Sequence, residues 1–544
     1  RIVSSAAGIL ADRISKRRIL VGVKVVEVIV MLFGTFAFFR EMEGGLYAVL
    51  FLMASQSAWF GPSKYGVVPE LVRKEELSRA NSLLESFTYL AIVLGSALAP
   101  FLAQITKPDY GAASIFCIAV ALTGWAASQR IKPTSAAGSE KAPTLFFVRE
   151  ILETLREIRP DGFLLLAVVG SAYFLFLGAF AQINLIPYGM ETLHLTQEQS
   201  GYLFLVAALG IGMGSFLSGK LSGRNVEFGV VPIGAVGLTA SSLLLYLLPS
   251  RLGLVIPSVI LFGLSAGLFI VPLQSFIQFR SPRKKLGQVL AASGFLSWVG
   301  VLIASGLAYF LNGPMGLSAA QGFLVVGCLT LILTLITWMT LPDFLIRFFA
   351  LLAMKLAYRI RVLGAENVPV EGPALLVSNH VSWIDALLLT ATQQRRIRFV
   401  MERGIYNTRF LKPFFRLMGV LPVSSHESRA AQVAFFRDVR IALDQGYMVW
   451  IFAEGAITRN GRVQEFRPGL EHILRGTRCP VVPVYIGGVW GSLFSYAHGR
   501  FPAKAPRPVT IVFGEPLPES CRAQDVRNAV LELSPFYPEE EVGL

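Results

Sequence analysis

The sequence predicts a multidomain protein in which an all-α polytopic membrane domain is followed by an α/β domain. Three observations carry this. Of the 544 residues, 54% belong to the apolar set and only 15% are charged, against about 25% charged in an average soluble domain. Apolar runs near the roughly 20 residues that a bilayer-crossing helix needs recur as far as residue 341. Beyond residue 345 they give way to short β-rich segments separated by helical stretches. A wholly soluble protein is excluded. The formal net charge of +14 is shared evenly between residues 1–345 and 346–544, which suits basic loops beside anionic lipid, and no nucleic-acid partner is expected. Cys117, Cys328, Cys479 and Cys521 show no CxxC spacing and are expected to be buried thiols.

Eleven spans are expected, at about 1–10, 19–39, 46–62, 80–103, 111–130, 162–187, 200–219, 229–248, 252–279, 287–311 and 317–341. The chain opens at Arg1 inside an apolar stretch, so at least one earlier helix is expected. Lys and Arg near span ends are retained on the cytoplasmic side. One set of loops holds Arg13, Lys16, Arg17 and Arg18, then Arg73, Lys74 and Arg79, then Lys220 and Arg224, then Arg280, Arg283, Lys284 and Lys285. The opposite set holds only Arg40, Lys107 and Arg251. The first set is read as cytoplasmic, and by parity so is everything after residue 342. SSAAGILADR (4–13) recurs in degenerate form as SFLSGKLSGR (215–224), about 210 residues on, as in a transporter of two similar halves. The halves are read as 1–130 and 161–342, joined by a linker at 131–160 that includes the amphipathic FFVREILETLREIRP.

Gly8, Asp12 and Arg13, followed by Lys16 to Arg18, resemble the signature loop between the second and third helices of the major facilitator superfamily. The resemblance implies a twelve-helix fold with eleven helices present. A glycine allows close helix approach, and Asp12 and Arg13 are suited to latch the halves by charge-assisted bonds. Ionisable residues within spans mark functional candidates, and Lys24, Glu27 and Glu85 qualify. Asn81, Glu85 and Thr88 share one helix face. That face suits a polar headgroup, or else Asn81 and Glu85 solvate the rim or pair with Lys24. Two near-motifs are set aside. Gly214 to Leu221 nearly spells a P-loop but lacks the final Ser or Thr, and Gly263-Leu-Ser265-Ala-Gly267 spells a nucleophile elbow inside an apolar helix.

Residues 343–360 alternate apolar residues with Arg347, Lys355 and Arg359 and are expected to form an interfacial helix. The remaining 361–544 contain strand-like runs at 374–379, 397–401, 447–453, 480–486 and 509–513, the alternation of an α/β layer fold. Asn379-His380-Val-Ser382-Trp-Ile-Asp385 follows the first run, and Phe452-Ala-Glu454-Gly455-Ala-Ile-Thr458-Arg459 ends the third. Both fall in strand-end loops, where such folds place active sites. An Asp that orients a His leaves the other ring nitrogen to take a proton from a hydroxyl. The same residues also fit a capping box before a helix, with Asp385 structural.

The first segment resembles the NHx4D motif of the glycerolipid acyltransferase family, and Phe452 to Gly455 resembles its FPEG motif. Gly419-Val-Leu-Pro422-Val423 resembles its second motif and Val482-Pro483-Val484 its fourth. The resemblance implies that His380 deprotonates a lysophospholipid hydroxyl while Asp385 holds the imidazole. It implies a substrate site that includes Asn379, Pro422, Glu454, Gly455, Thr458, Arg459 and Pro483, and an acyl-carrier-protein or CoA thioester as co-substrate, with no cofactor. Three departures stand out: Ala453 replaces the family's Pro, Ala456 and Ile457 precede Thr458-Arg459, and Ser424-Ser425 stand where an Arg usually follows the second motif. Thr458, Arg395, Arg396, Arg398, Arg462 and Arg467 suit phosphate, anionic lipid or a solvated basic face. His426, His472 and His498 lack metal-ligand spacing, and no metal is expected.

The two parts together resemble the bacterial lysophospholipid transporters fused to the acyltransferase part of the 2-acylglycerophosphoethanolamine acyltransferase and acyl-carrier-protein synthetase system. This implies a multi-pass protein of the bacterial inner membrane that flips lysophospholipid, chiefly lysophosphatidylethanolamine, inward and reacylates it at position 1 in the cytoplasm. The alternative is a lysophosphatidic acid acyltransferase fused to a facilitator for another solute or to a silent membrane anchor. The partners implied are membrane lipid, lysophospholipid, acyl carrier protein and an acyl-carrier-protein synthetase. The tail PFYPEEEVGL is expected to be a linker toward a further domain.

Overall fold

The computed structural model describes residues 2–106, 109–141, 147–223, 226–248, 250–369, 372–393, 395, 397–423, 429–475, 479–497, 507–518 and 521–534. Lys107, Arg224, Arg396, Ser424, Ser425, His426, His498 and the tail 535–544 lie outside them. The chain divides into two compact units, Arg1–Leu341 and Pro342–Leu544.

The first unit contains α1 (Ile2–Arg13), α2 (Lys16–Phe39), α3 (Glu43–Leu71), α4 (Leu77–Ile105), α5 (Tyr110–Gln129), α6 (Phe147–Ile158), α7 (Gly162–Leu193), α8 (Gln197–Ser222), α9 (Val231–Leu247), α10 (Leu252–Arg280), α11 (Leu286–Asn312) and α12 (Ala319–Thr340). Among the described residues, eight are long and apolar enough to cross a membrane: α2, α5 and α7 to α12, with α9 and α11 extended by the short turn before each. The other three expected spans are also helices. α1 has only 12 residues, while α3 and α4 have 29 each and carry the interior polar groups Lys64 and Glu85. Helix α6 is the amphipathic part of the linker. It buries Glu150, Ile151, Thr154 and Ile158 along one side, and the adjoining pairs Lys285 Nζ–Glu157 (3.0 Å) and Arg280 Nε–Asp161 (2.6 Å) tie it to α10 and the turn before α11.

Glycine sets the helix crossings. A Cβ on Gly8 would stand 2.5 Å from the Gly287 carbonyl oxygen, and one on Gly287 would strike that of Gly8, so α1 and α11 meet backbone to backbone. Gly219 holds Gly8's place in the second repeat copy, and its Cβ would fall 2.5 Å from the Ser82 Cβ of α4. The two near-motifs form one such crossing between α8 and α10. Cβ atoms on Gly214 and Gly263 would strike the carbonyl oxygens of Leu264 and Ala207, and one on Gly267 would strike that of Ile211. Close backbone approach of small residues is how helices pack where lipid supplies no hydrophobic drive. The expectation of four buried thiols fails for Cys117 and Cys328, which are exposed. On a helix surface that faces lipid, an apolar thiol has no reason to turn inward.

The second unit contains α13 (Pro342–Ala357), β1 (Tyr358–Leu363), β2 (Ala374–Ser378), α14 (Asp385–Thr392), β3 (Ile397–Glu402), α15 (Arg403–Tyr406), α16 (Lys412–Leu417), β4 (Leu421–Val423), α17 (Arg429–Asp444), β5 (Met448–Phe452), α18 (Gly469–Leu474), β6 (Val481–Gly487), β7 (Arg507–Phe513) and α19 (Ala523–Glu532). The five expected strands are present, joined by β1 and β4. The stretch 343–360 is not all helix, since Tyr358 opens β1. Within α13, Arg347, Phe348, Leu351 and Met354 are buried, so one side of that helix belongs to the α/β core. The sheet runs β1-β7-β6-β2-β5-β3-β4, parallel throughout except where β6 meets β7. Its central strands are buried on both faces. Leu376, Trp450 and Val482 join one apolar cluster, and their neighbours Leu375, Val449 and Val481 join the other. That explains why these strands read as unbroken apolar runs.

Candidate active site

β2 and β5 are parallel neighbours, with Ser378 opposite Phe452, so both motif loops leave the same edge of the sheet. From β2 the chain crosses to β3 and β4 on one side, and after β5 it returns to β6 on the other. This reversal opens the crevice in which α/β folds bind ligands. At its centre His380 Nδ1 lies 2.9 Å from Asp385 Oδ2. The same oxygen accepts the backbone N–H groups of Val381 (2.6 Å) and Ser382 (2.9 Å), and Oδ1 accepts the Ser382 hydroxyl (2.5 Å). Asp385 is fully buried and His380 half-buried. Ser382 is therefore not an N-cap: α14 begins at Asp385 itself, whose carboxylate reaches back to organise the turn and orient the ring. The carboxylate is an acceptor, so Nδ1 carries the proton and Nε2 keeps a free lone pair. The imidazole stacks on the Phe452 ring, centroids 4.0 Å apart.

The third motif closes on this loop. Glu454 Oε1 accepts the His380 backbone N–H (3.1 Å) and Thr458 N–H donates to the His380 carbonyl (2.8 Å). Glu454 Oε2 is buried without a hydrogen bond of normal geometry. Burial pushes the Glu454 carboxyl up to about 7, against the lowering effect of the His380 and Gln464 backbone N–H groups. Gly455 holds φ +67, where a Cβ would meet Arg467 Nε at 2.5 Å. Arg467 Nε also bonds the Glu454 carbonyl (3.3 Å). Ala453 N–H donates to the Ser378 carbonyl (3.3 Å), a bond that the family's Pro at this position cannot make.

The remaining named residues separate by role. Asn379 is buried and exchanges both amide bonds with Ile486 (3.0 and 2.8 Å), so its side chain stitches β2 to β6 instead of facing the crevice. Thr458 Oγ1 is engaged with Asn460 and the Arg462 carbonyl (2.9 Å each). Arg459 lies over the Tyr496 ring at 5.7 Å. Pro422 sits in β4 and Pro483 in β6, where its carbonyl accepts Gly514 N–H (2.9 Å). Arg467, one of the arginines suited to phosphate by sequence, is the one that stands beside Gly455, whereas the stacking of Phe452 on His380 was not legible, because that contact arises between neighbouring strands. Among the described residues no group of three or more His, Cys, Asp or Glu side chains gathers as metal ligands do.

In the first unit Asp12 bridges α1 and α11. Its carboxylate accepts N–H from Gly287 (2.7 Å) and Gln288 (3.1 Å) at the start of α11, and from the Gln288 side chain (3.3 Å). A carboxylate on a helix N-terminus is favourably placed. Arg13 is exposed, and Asp12 alone makes these bonds. Asn81, Glu85 and Thr88 do not act on a common partner. Asn81 exchanges bonds with Gln278 of α10 (2.7 and 3.0 Å), Glu85 accepts from Tyr65 (2.8 Å), and Thr88 accepts from Lys64 (2.9 Å). Lys24 pairs with Glu27 (2.7 Å), which also accepts from Gln56 (2.9 Å), so the expected pairing of Lys24 with Glu85 is replaced by these local partners.

Residues 2–305 match the Major Facilitator Superfamily and residues 359–487 match the family described as Acyltransferase. A chloroplastic 1-acyl-sn-glycerol-3-phosphate acyltransferase of Arabidopsis thaliana is 29% identical over 147 residues, 27% of this chain and 41% of that protein. The chain thus spans about two fifths of the length of the chloroplastic relatives it matches. The lysophospholipid transporter LplT of Cronobacter sakazakii is 26% identical over 316 residues, 56% of this chain and 75% of that protein. The solved fucose:proton symporter of E. coli aligns at 15% identity and a TM-score of 0.49 over 61% of this chain and 87% of its own. The chain belongs to the Major Facilitator Superfamily and carries an α/β acyltransferase domain behind its helical region.

Proposed function

We propose that the chain flips lysophospholipid, chiefly lysophosphatidylethanolamine, inward across the bacterial inner membrane and reacylates it at position 1 on the cytoplasmic face. The observation that carries the chemistry is the His380–Asp385 pair at the β2 edge. Nε2 takes the proton of the lysolipid hydroxyl, and the oxygen attacks the thioester carbonyl. The C–S bond then breaks and the leaving thiolate receives the proton, giving a diacyl phospholipid and the free thiol of acyl carrier protein or CoA. No cofactor enters this step. Glu454, Gly455 and Arg467 line the loop proposed to hold the glycerophosphate, with the exposed Arg467 taking the phosphate.

The transport reading is supported by the relatives named as lysophospholipid transporters, and the orientation by the basic loops. An acyl-carrier-protein synthetase, in another domain or protein, would reload the donor. The chloroplastic relatives favour a second acceptor, lysophosphatidic acid.

The test is mass spectrometry of products from membranes carrying the chain, given both lysolipids and an acyl-carrier-protein thioester. Diacyl product from lysophosphatidylethanolamine that disappears in His380→Ala supports the proposal. Product from lysophosphatidic acid alone moves the assignment to the second acceptor. Product that survives His380→Ala overturns the base.

A further inference from the structure

Between β3 and β4 the chain presents an apolar tip that the fold does not cover. Phe410 is 89% exposed, Leu411 47% and Ile405 36%. Arg409, Lys412 and Arg416, interleaved with them, are exposed as well. The segment is held from beneath. Phe415 is buried and stacks on Tyr406, centroids 6.3 Å apart, while the Thr408 carbonyl accepts N–H from Leu411 (3.0 Å) and Lys412 (2.8 Å). A tip so anchored keeps its apolar side chains turned outward.

The topology puts this tip near the catalytic edge. β3 runs parallel to β5, so it ends on the edge from which His380 and Glu454 emerge. β4 pairs only with Val400, Met401 and Glu402, the last residues of β3, so the connection returns beside that same edge.

We propose that 403–418 is a membrane-insertion segment of the acyltransferase domain, docking on an anionic phospholipid surface. Phe410 and Leu411 enter the acyl boundary while the interleaved cations meet lipid phosphates. Apolar residues flanked by Lys and Arg are the composition that binds such an interface, the cations adding electrostatic attraction to anionic headgroups. An acidic protein would satisfy the charges but leave the protruding Phe410 without a reason. A crevice facing the bilayer receives a lysolipid acceptor without drawing its acyl chain through water.

The experiment uses the full chain in phosphatidylethanolamine and phosphatidylglycerol nanodiscs, with the four native cysteines replaced by serine. Phe410→Cys carries an environment-sensitive fluorophore, and Ile441→Cys, at the far end of α17, is the comparison. Spin-labelled acyl chains should quench the label at 410 by about half or more and leave that at 441 unchanged. Equal quenching at both sites, or shielding of 410 only when acyl carrier protein is added, overturns the proposal. The unsubstituted chain gives an independent reading, since amide exchange across 403–418 should slow when phosphatidylglycerol replaces phosphatidylcholine. Equal exchange in the two lipids overturns the charge-assisted docking. Both readouts are independent of acyl transfer, so they stand whether or not the proposed reaction does.

Discussion

Asp385 Oδ2 accepts three hydrogen bonds at once, from His380 Nδ1 and from the backbone N–H groups of Val381 and Ser382. One oxygen therefore shapes the turn and aims the imidazole. Asp385→Asn should lower kcat by about 10²–10⁴-fold, because an amide that donates to Nδ1 enforces the other tautomer. KM for the lysolipid should hold. A kcat within threefold of wild type would show that orientation by Asp385 is not needed.

Glu454 titrates with the opposite sign to a paired carboxylate. Its folded-state value of about 7, against an ordinary 4.5, means that the folded protein holds the proton more tightly. Its favourable contribution is complete below about pH 4.5 and is lost as pH rises through 7. Glu454→Gln keeps an acceptor for the His380 N–H and removes the buried charge, so it should raise the unfolding temperature at pH 8, worth on the order of 2 kcal/mol, with no gain at pH 4.5. Thermal scans of the purified chain at the two pH values check this.

Gly455 combines a left-handed backbone with Arg467 Nε 2.5 Å from the position of a Cβ. Gly455→Ala should cost about 1–2 kcal/mol in stability and displace the arginine proposed to meet phosphate, so KM for the acceptor should rise several-fold. Steady-state kinetics with varied lysolipid would reveal it, and an unchanged KM would dissociate Arg467 from the acceptor.

Gly287 faces Gly8 across the α1 and α11 crossing, with Asp12 Oδ1 2.8 Å from where its Cβ would lie. Gly287→Ala should separate the two halves there and break the Asp12 bonds. Uptake of lysolipid by proteoliposomes should fall at least about tenfold, while acylation of detergent-solubilised lysolipid continues. Unaltered uptake would show that this contact is not part of the transport cycle.

The sequence alone determined the division near residue 342, the helical identity of all eleven expected spans and the central strands, because each rests on a local pattern: a long apolar run, or a short run buried on both sheet faces. It also brought His380 and Asp385 to notice, since five residues across a turn is a local relation. What it could not decide were contacts between distant segments. β4 is only three residues long and β1 hides behind a helical apolar stretch, so neither has a readable period. Asn379 reads as a site residue by position, yet its amide is committed to Ile486, more than a hundred residues away. Asp12 and Arg13 stand side by side in the sequence, but only the crossing with Gly287 decides that the carboxylate finds N–H donors and the guanidinium turns outward. Periodicity encodes which side of an element is apolar, and which partner fills that side is set by packing in three dimensions.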